Sequence, residues 1–214
     1  MVLENFIVLE GIDGAGTTTQ LKMLKARPEA KNFLFTTEPT SYDTGKFLRQ
    51  VLSGNVEVTP QTAAFLFAAD RCEHVYGKLI TEGDRNLVTG IEAACRDYRA
   101  VVSDRYFFSS LAYQSVGCGM TLPSLLNSTF PLPGLLFYFD IDPEVSLERV
   151  SRRGAKEIYE KQDFLIKTRS AYEEILKRYD GTQEGHGMKI VRLDATKSPA
   201  EISKIIWKNI SKLP

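Results

Sequence analysis

Short apolar runs punctuate the chain at Phe6–Leu9, Phe33–Thr36, Ala100–Ser103, Leu135–Ile141 and Lys189–Leu193. They are rich in Val, Ile, Leu and Phe and mostly lack polar alternation, which predicts strands buried on both faces. Helical stretches separate most of them, and several carry marked starts. Thr59-Pro60 and Asp142-Pro143 set a capping residue before a first-turn proline, and Ser198-Pro199-Ala200-Glu201 spells a capping box. The last helix gathers Ile202, Ile205, Ile206 and Ile210 on one stripe, with Lys204, Lys208 and Lys212 mostly off it. Strands alternating with helices predict an α/β fold, a parallel sheet flanked by helices on both faces. No repeat, low-complexity segment or Pro/Gly-rich linker divides residues 1–214, so one domain is expected.

In such sheets ligands bind beyond the carboxyl ends of the strands. Five segments follow the predicted strands: the loop at Gly11, Thr37-Glu38-Pro39-Thr40, Asp104-Arg105, the region after Asp140, and Asp194-Ala195-Thr196. The first is the most informative. Gly11-Ile12-Asp13-Gly14-Ala15-Gly16-Thr17-Thr18-Thr19 has both glycines of a phosphate-binding loop at the correct spacing, and its backbone N–H groups can curl around phosphate oxygens. Thr18 can supply a hydroxyl to Mg²⁺, but Thr17 stands where the motif has lysine. A glycine-rich turn can also be a ligand-free connection. The strand before it and the helix after it favour the phosphate reading.

Composition narrows the field. The 27 basic and 27 acidic residues cancel, so no global field argues for nucleic acid or a membrane surface. Cys72, Cys95 and Cys118 are odd in number and form no C-x-x-C, which points to reduced thiols rather than disulfides or zinc. No basic leader or membrane-length apolar run is visible, so a cytoplasmic location is expected. His74 reads as lying on a helix exterior and His186 as sitting in a turn between glycines.

Asp104 and Arg105 are adjacent at a strand end, so each is expected to serve a different partner. A carboxylate there can orient Mg²⁺-bound water, and an arginine can hold a phosphate in bidentate fashion. Ser110, Tyr113 and Gln114 share one helical face, a hydroxyl, a phenol and an amide suited to a planar polar ligand. Phe67 and Arg71 are paired at i and i+4 upstream.

These motifs, in this order, resemble the thymidylate kinase family. The resemblance runs from Phe6–Gly16 through Glu38-Pro39, Phe67–Arg71, Asp104–Tyr106 and Ala112–Gln114, to Phe137–Glu144 and the arginine-rich Arg149–Gly154. It implies a P-loop nucleoside monophosphate kinase fold, with a five-stranded parallel sheet and an arginine-rich lid at about 150–162. It also implies transfer of the γ-phosphoryl group of ATP to dTMP, with Mg²⁺ as cofactor and a homodimeric assembly. By that resemblance Phe67 stacks on thymine, Arg71 bonds its exocyclic carbonyl, and Ser110 and Gln114 lie near the base edge. Tyr113 crowds the sugar C2′, Asp13 approaches the 3′-OH, and Arg105 binds the acceptor phosphate. Glu38 lies in an acidic loop near the acceptor. Arg149, Arg152 and Arg153, at i, i+3 and i+4, lead into the lid.

Three departures from the family pattern stand out. Thr17 replaces the loop lysine, Thr37 stands where arginine commonly precedes Glu-Pro, and Gly14 follows Asp13 where one subgroup has arginine. Subgroups without that arginine carry a catalytic basic residue in the lid, so Arg153 and Lys156 are the candidates to compensate. The segment Asn86–Tyr98 reads as extra helical turns in a peripheral insertion. Two other readings remain open: a weak or inactive nucleotide-binding homologue, and a kinase for another nucleoside monophosphate.

Overall fold

The computed structural model describes residues 1–79, 88–151, 158–159 and 161–211. The strand β1 (Val2–Gly11) leads through the Gly-rich loop into the helix α1 (Thr17–Lys25). Next, β2 (Phe33–Thr37) leads into α2 (Asp43–Leu52) and α3 (Pro60–Tyr76). A small antiparallel ribbon, β3 (Lys78–Leu79) with β4 (Val88–Thr89), precedes α4 (Ile91–Asp97). The strand β5 (Ala100–Asp104) feeds α5 (Phe107–Cys118) and α6 (Thr121–Asn127), and β6 (Leu132–Asp140) feeds α7 (Pro143–Ser151) and α8 (Gln162–Tyr179). Last come β7 (Lys189–Asp194) and α9 (Pro199–Ile210).

The main sheet has five strands in the order β2-β5-β1-β6-β7, and every neighbouring pair is parallel. The unbroken apolar runs have the expected cause. Phe6, Ile7, Val8 and Leu9 of β1 and Ala100, Val101 and Val102 of β5 are fully buried, with helices covering both faces. Each large side chain removed from water there contributes roughly 1.5–3 kcal/mol.

The anticipated helix starts are present. Thr59 accepts the Thr62 N–H at 3.2 Å, Asp142 accepts the Glu144 N–H at 2.8 Å, and both legs of the Ser198–Glu201 box are made.

Because β1 lies between β5 and β6, the chain leaves the sheet in opposite directions on either side of it. A crevice opens at such a reversal, past the carboxyl ends of the strands. The register aligns Leu9 with Asp104 and Thr37 with Asp104, which brings three loop starts to one rim.

Of the segment expected to add a helical turn or two, Asn86–Tyr98, residues 88–98 are described, and they are helical in part. Val88-Thr89 pairs as a strand, as two β-branched residues favour, and the helix spans only Ile91–Asp97. Nor is it peripheral. Ile91 and Ala94 are fully buried in the main core, and the Asn5 side chain donates to the carbonyls of Cys95 and Tyr98 at 2.8 and 3.0 Å.

Candidate active site

Between β1 and α1 the chain turns on two glycines in the left-handed region, Gly14 at φ 83° and Gly16 at φ 100°. At Gly14 a side chain would also collide, since a Cβ would sit 2.6 Å from the Ser146 carbonyl oxygen. No side chain caps α1, so the first N–H groups of this helix face the crevice, a geometry that favours anions. The outer side of the loop is gripped by α7. Ser146 Oγ donates to the Asp13 carbonyl, and Arg149 Nη1 donates to the Gly14 carbonyl at 3.5 Å. From α5, the Tyr113 hydroxyl accepts the Asp13 N–H at 2.9 Å.

A cavity of about 390 Å³ opens beside this loop. Its lining includes the loop itself, through Asp13, Gly14, Gly16, Thr17 and Thr18, together with Phe67, Arg71, Ser110, Tyr113 and Gln114. Asp104 and Arg105 lie on the wall as well, and they do serve different partners. Thr18 Oγ1 donates to Asp104 Oδ2 at 2.6 Å. Arg105 Nη2 donates to Asp13 Oδ1 at 2.5 Å, and its Nη1 donates to the Gly11 carbonyl at 2.9 Å and to Ser109 Oγ at 3.0 Å. Among the described residues Arg105 alone of the non-glycines has a left-handed backbone, φ 73°. Such strain is characteristic of functional sites.

Three polar atoms on the cavity wall, Asp104 Oδ1, Ser110 Oγ and Gln114 Oε1, are buried without a hydrogen-bond partner. Buried polar groups are satisfied as a rule, so three orphans around one cavity mark places where a ligand completes the bonding. Asp104 Oδ1 and the Thr18 hydroxyl together offer hard oxygen ligands. That donor set suits Mg²⁺, which takes one or two carboxylates and completes its shell with water and phosphate.

The loop carrying Glu38 is held from two helices. Asp70 accepts from the Thr40 N–H and from the hydroxyls of Thr40 and Thr44, at 2.8, 2.5 and 2.7 Å. Arg49 donates to the carbonyls of Pro39 and Thr40 at 2.6 and 2.5 Å. Glu38, so placed, is buried with Arg71. Arg71 Nε and Nη2 donate to Glu38 Oε2 at 3.0 and 2.6 Å, and Nη1 donates to Asn127 Oδ1 at 2.6 Å. Those bonds use three of the five guanidinium N–H groups. Burial alone would raise the Glu38 pKa, but Arg71 and His74 outweigh it and hold the carboxyl below its usual value. Burial also pushes the Tyr113 hydroxyl well above the ordinary tyrosine value, so it stays neutral.

Some sequence expectations need correction or lie elsewhere. His74 is not on a helix exterior. It is fully buried, with Nδ1 2.9 Å from Glu38 Oε1 and Nε2 2.6 Å from Thr36 Oγ1. Gly11, Ile12 and Ala15 shape the loop from behind the cavity wall, while Thr19 is exposed and off that wall. Arg152, Arg153 and Lys156 fall outside the described residues.

Sequence reasoning passed over Arg49, a cavity residue that follows Asp43 and Lys46 on the same short helix and so resembles any surface charge. It also assigned nothing to Glu10 and Tyr172. Glu10 is fully buried at the end of β1. Burial pushes its carboxyl up to about 7, against Arg105 and the donors of Ser109, Tyr172 and Tyr106.

A family model described as Thymidylate kinase matches residues 9–206. A Methanocaldococcus jannaschii protein, named provisionally as a thymidylate kinase, is 40% identical over 202 residues, covering 94% of this chain and 92% of its own. A Treponema pallidum protein, also named provisionally as a thymidylate kinase, is 39% identical over 196 residues, 91% of this chain and 88% of its own. The thymidylate kinase of Leptospira interrogans is 35% identical over 207 residues, 92% and 89% of the two chains.

Proposed function

The chain belongs to the thymidylate kinase family, and on that premise we propose that it transfers the γ-phosphoryl group of ATP to dTMP, giving dTDP and ADP. The observation that carries this reading is the cavity that joins a phosphate loop to aromatic side chains, Phe67 and Tyr113 among them, and to three unpartnered polar atoms.

In this reading the free N–H groups at the start of α1 hold the donor phosphates. Thr18 and Asp104 hold Mg²⁺, which supplies neutralising charge to those phosphates. Phe67, half-buried on α3, faces the thymine ring, and the unpartnered Ser110 Oγ and Gln114 Oε1 meet its polar edge. Arg71 has two N–H groups left over from Glu38 and Asn127 for the base carbonyl. Asp13 takes the sugar 3′-hydroxyl, and Tyr113 crowds the sugar C2′, where a buried 2′-hydroxyl would also lack a partner, which disfavours ribonucleotides. Arg105 binds the acceptor phosphate.

Phosphoryl transfer asks the protein for alignment and charge more than for covalent chemistry. With Thr17 in the lysine position, that charge falls to Arg105, Arg149 and the lid residues Arg152, Arg153 and Lys156. Closure of the lid, at about 150–162, excludes water as a competing acceptor. The domain 1–214 acts as one unit in the cytoplasm. We include a homodimer in the proposal, supported by the exposed rings of Phe47 and Phe65 on α2 and α3; a monomeric mass in light scattering would exclude it.

The test is a coupled ADP-release assay with MgATP, comparing dTMP, its ribose analogue, dUMP and no acceptor. Release that depends on dTMP and is poor with the ribose analogue is expected. Tight dTMP binding without turnover would instead favour a nucleotide-binding homologue. In that case Thr17→Lys should restore activity.

A further inference from the structure

The carboxylate of Glu10 lies one residue before the phosphate loop, outside the cavity wall, and is fully buried. Four donors converge on it. Oε1 accepts the Tyr106 N–H at 2.8 Å and the Ser109 N–H at 3.2 Å. Oε2 accepts Ser109 Oγ at 2.6 Å and the Tyr172 hydroxyl at 2.8 Å. The two backbone donors are the N-cap and third residues of α5, a helix whose own N-cap side chain makes no capping bond. A carboxylate from β1 therefore does for α5 what a capping box does from within a helix.

Arg105 is the residue just before this cap. Its left-handed backbone turns the chain so that the Tyr106 N–H meets Glu10, and its own N–H bonds the Leu9 carbonyl at 2.9 Å. Its side chain is tied to the same group. Arg105 Nη1 donates to Ser109 Oγ, which in turn donates to Glu10 Oε2. Backbone and guanidinium are both fixed by one buried carboxylate.

We propose that Glu10 is a positioning residue for phosphoryl transfer, holding Arg105 through Ser109 and the α5 cap so that its guanidinium lies along the phosphate loop, aimed at the acceptor phosphate. This rests on the reading of Arg105 as the acceptor-phosphate ligand. A carboxylate that merely satisfied the core would treat every ligand alike. One that positions Arg105 discriminates between dTMP, which has the phosphate, and thymidine, which lacks it.

Three variants of the intact chain separate the possibilities, with dTMP and thymidine affinities measured by titration calorimetry. Arg105→Ala sets the reference. In Glu10→Gln the remaining carbonyl oxygen keeps the two backbone bonds, while the amide turns donor towards Ser109 and reverses that leg. Ser109→Ala removes the relay and leaves Glu10 and the cap in place. Both are expected to weaken dTMP on the order of tenfold or more, the worth of a bond to a charged group, and to leave thymidine within about twofold.

If Arg105→Ala weakens dTMP and thymidine equally, the reading of Arg105 is wrong. If Arg105→Ala is selective but Ser109→Ala is not, Arg105 stands and the role of Glu10 is overturned. Should Glu10→Gln fail to fold, Ser109→Ala decides the matter alone.

Discussion

Replacing Glu38 by Gln tests whether charge, rather than shape, holds together the cavity wall that carries Arg71. Glu38 is 5% exposed, Arg71 1% and His74 0%, so the guanidinium has its counter-ion within the protein and little access to water. Glutamine keeps the volume. Its carbonyl can still accept from Arg71, and its amide can donate to His74 Nδ1 in the other tautomer. What disappears is the negative charge. Breaking a buried pair by removing one partner costs about 3–5 kcal/mol, and the surviving neutral bond offsets about 1 kcal/mol of it. The net loss is therefore about 2–4 kcal/mol, which for a chain of this length lowers Tm by roughly 5–15 °C.

Acidity adds a second check on the same pair. Arg71 and His74 hold the folded Glu38 carboxyl below its ordinary value, so its contribution is complete above that ordinary value and is lost as pH falls through the folded pKa. The gap between wild type and Glu38→Gln should thus be full at pH 7 and should narrow as the solution is acidified through the lowered folded pKa. Scanning calorimetry across that range reads both. Removing the stranded cation with Arg71→Met in the same chain should recover part of the loss, because no uncompensated charge is then left buried. A fall in Tm of less than about 2 °C at pH 7, or a gap that stays constant into acid, would refute the reasoning.

Glu10 has the opposite sign. Its carboxyl is raised from 4.5 to about 7, so the native state holds a proton that the unfolded chain has released. Its contribution to stability falls as pH rises between those values, by about 3 kcal/mol over the window. Measured by thermal melts, the stability of Glu10→Gln relative to wild type should therefore improve from pH 5 to pH 8; a difference independent of pH would show that Glu10 does not titrate there. Gly14→Ala puts a Cβ 2.6 Å from the Ser146 carbonyl at φ 83°. It should cost about 1–3 kcal/mol and weaken ATP binding more than dTMP binding, and wild-type ATP affinity by calorimetry would overturn that.

Much of this architecture was legible in the sequence because double-sided burial leaves strands few polar positions. Phe6–Leu9 and Ala100–Ser103 read as strands for that reason, and the caps at Thr59, Asp142 and Ser198 were legible because their bonds are local. His74 failed for the converse reason. Helical periodicity assigns polar residues to the outer face, and nothing local reveals that a carboxylate from a loop 36 positions upstream lies beside it. Glu10 is a case of the same kind. Its partners lie 96, 99 and 162 residues away, so only the folded sheet brings them together. The ribbon at Val88-Thr89 was hidden by a neighbouring helix pattern that begins in earnest only after Gly90.

The missing loop lysine bears on that division between local and distant information. The loop keeps its shape without it, because that shape is imposed from outside. Ser146 and Arg149 hold the carbonyls of Asp13 and Gly14 from α7, Tyr113 holds the Asp13 N–H from α5, and Arg105 spans Gly11 and Asp13 from the end of β5. None of these contacts involves residue 17. A lysine there adds positive charge beside the transferring group, and its absence subtracts that charge without loosening the cradle. This is why the glycine spacing could be read correctly in a loop that departs from the motif at its most chemical position. The deficit belongs to electrostatics. In the proposed reaction it falls in part to Arg105, a described cation bonded to the loop at Gly11 and Asp13.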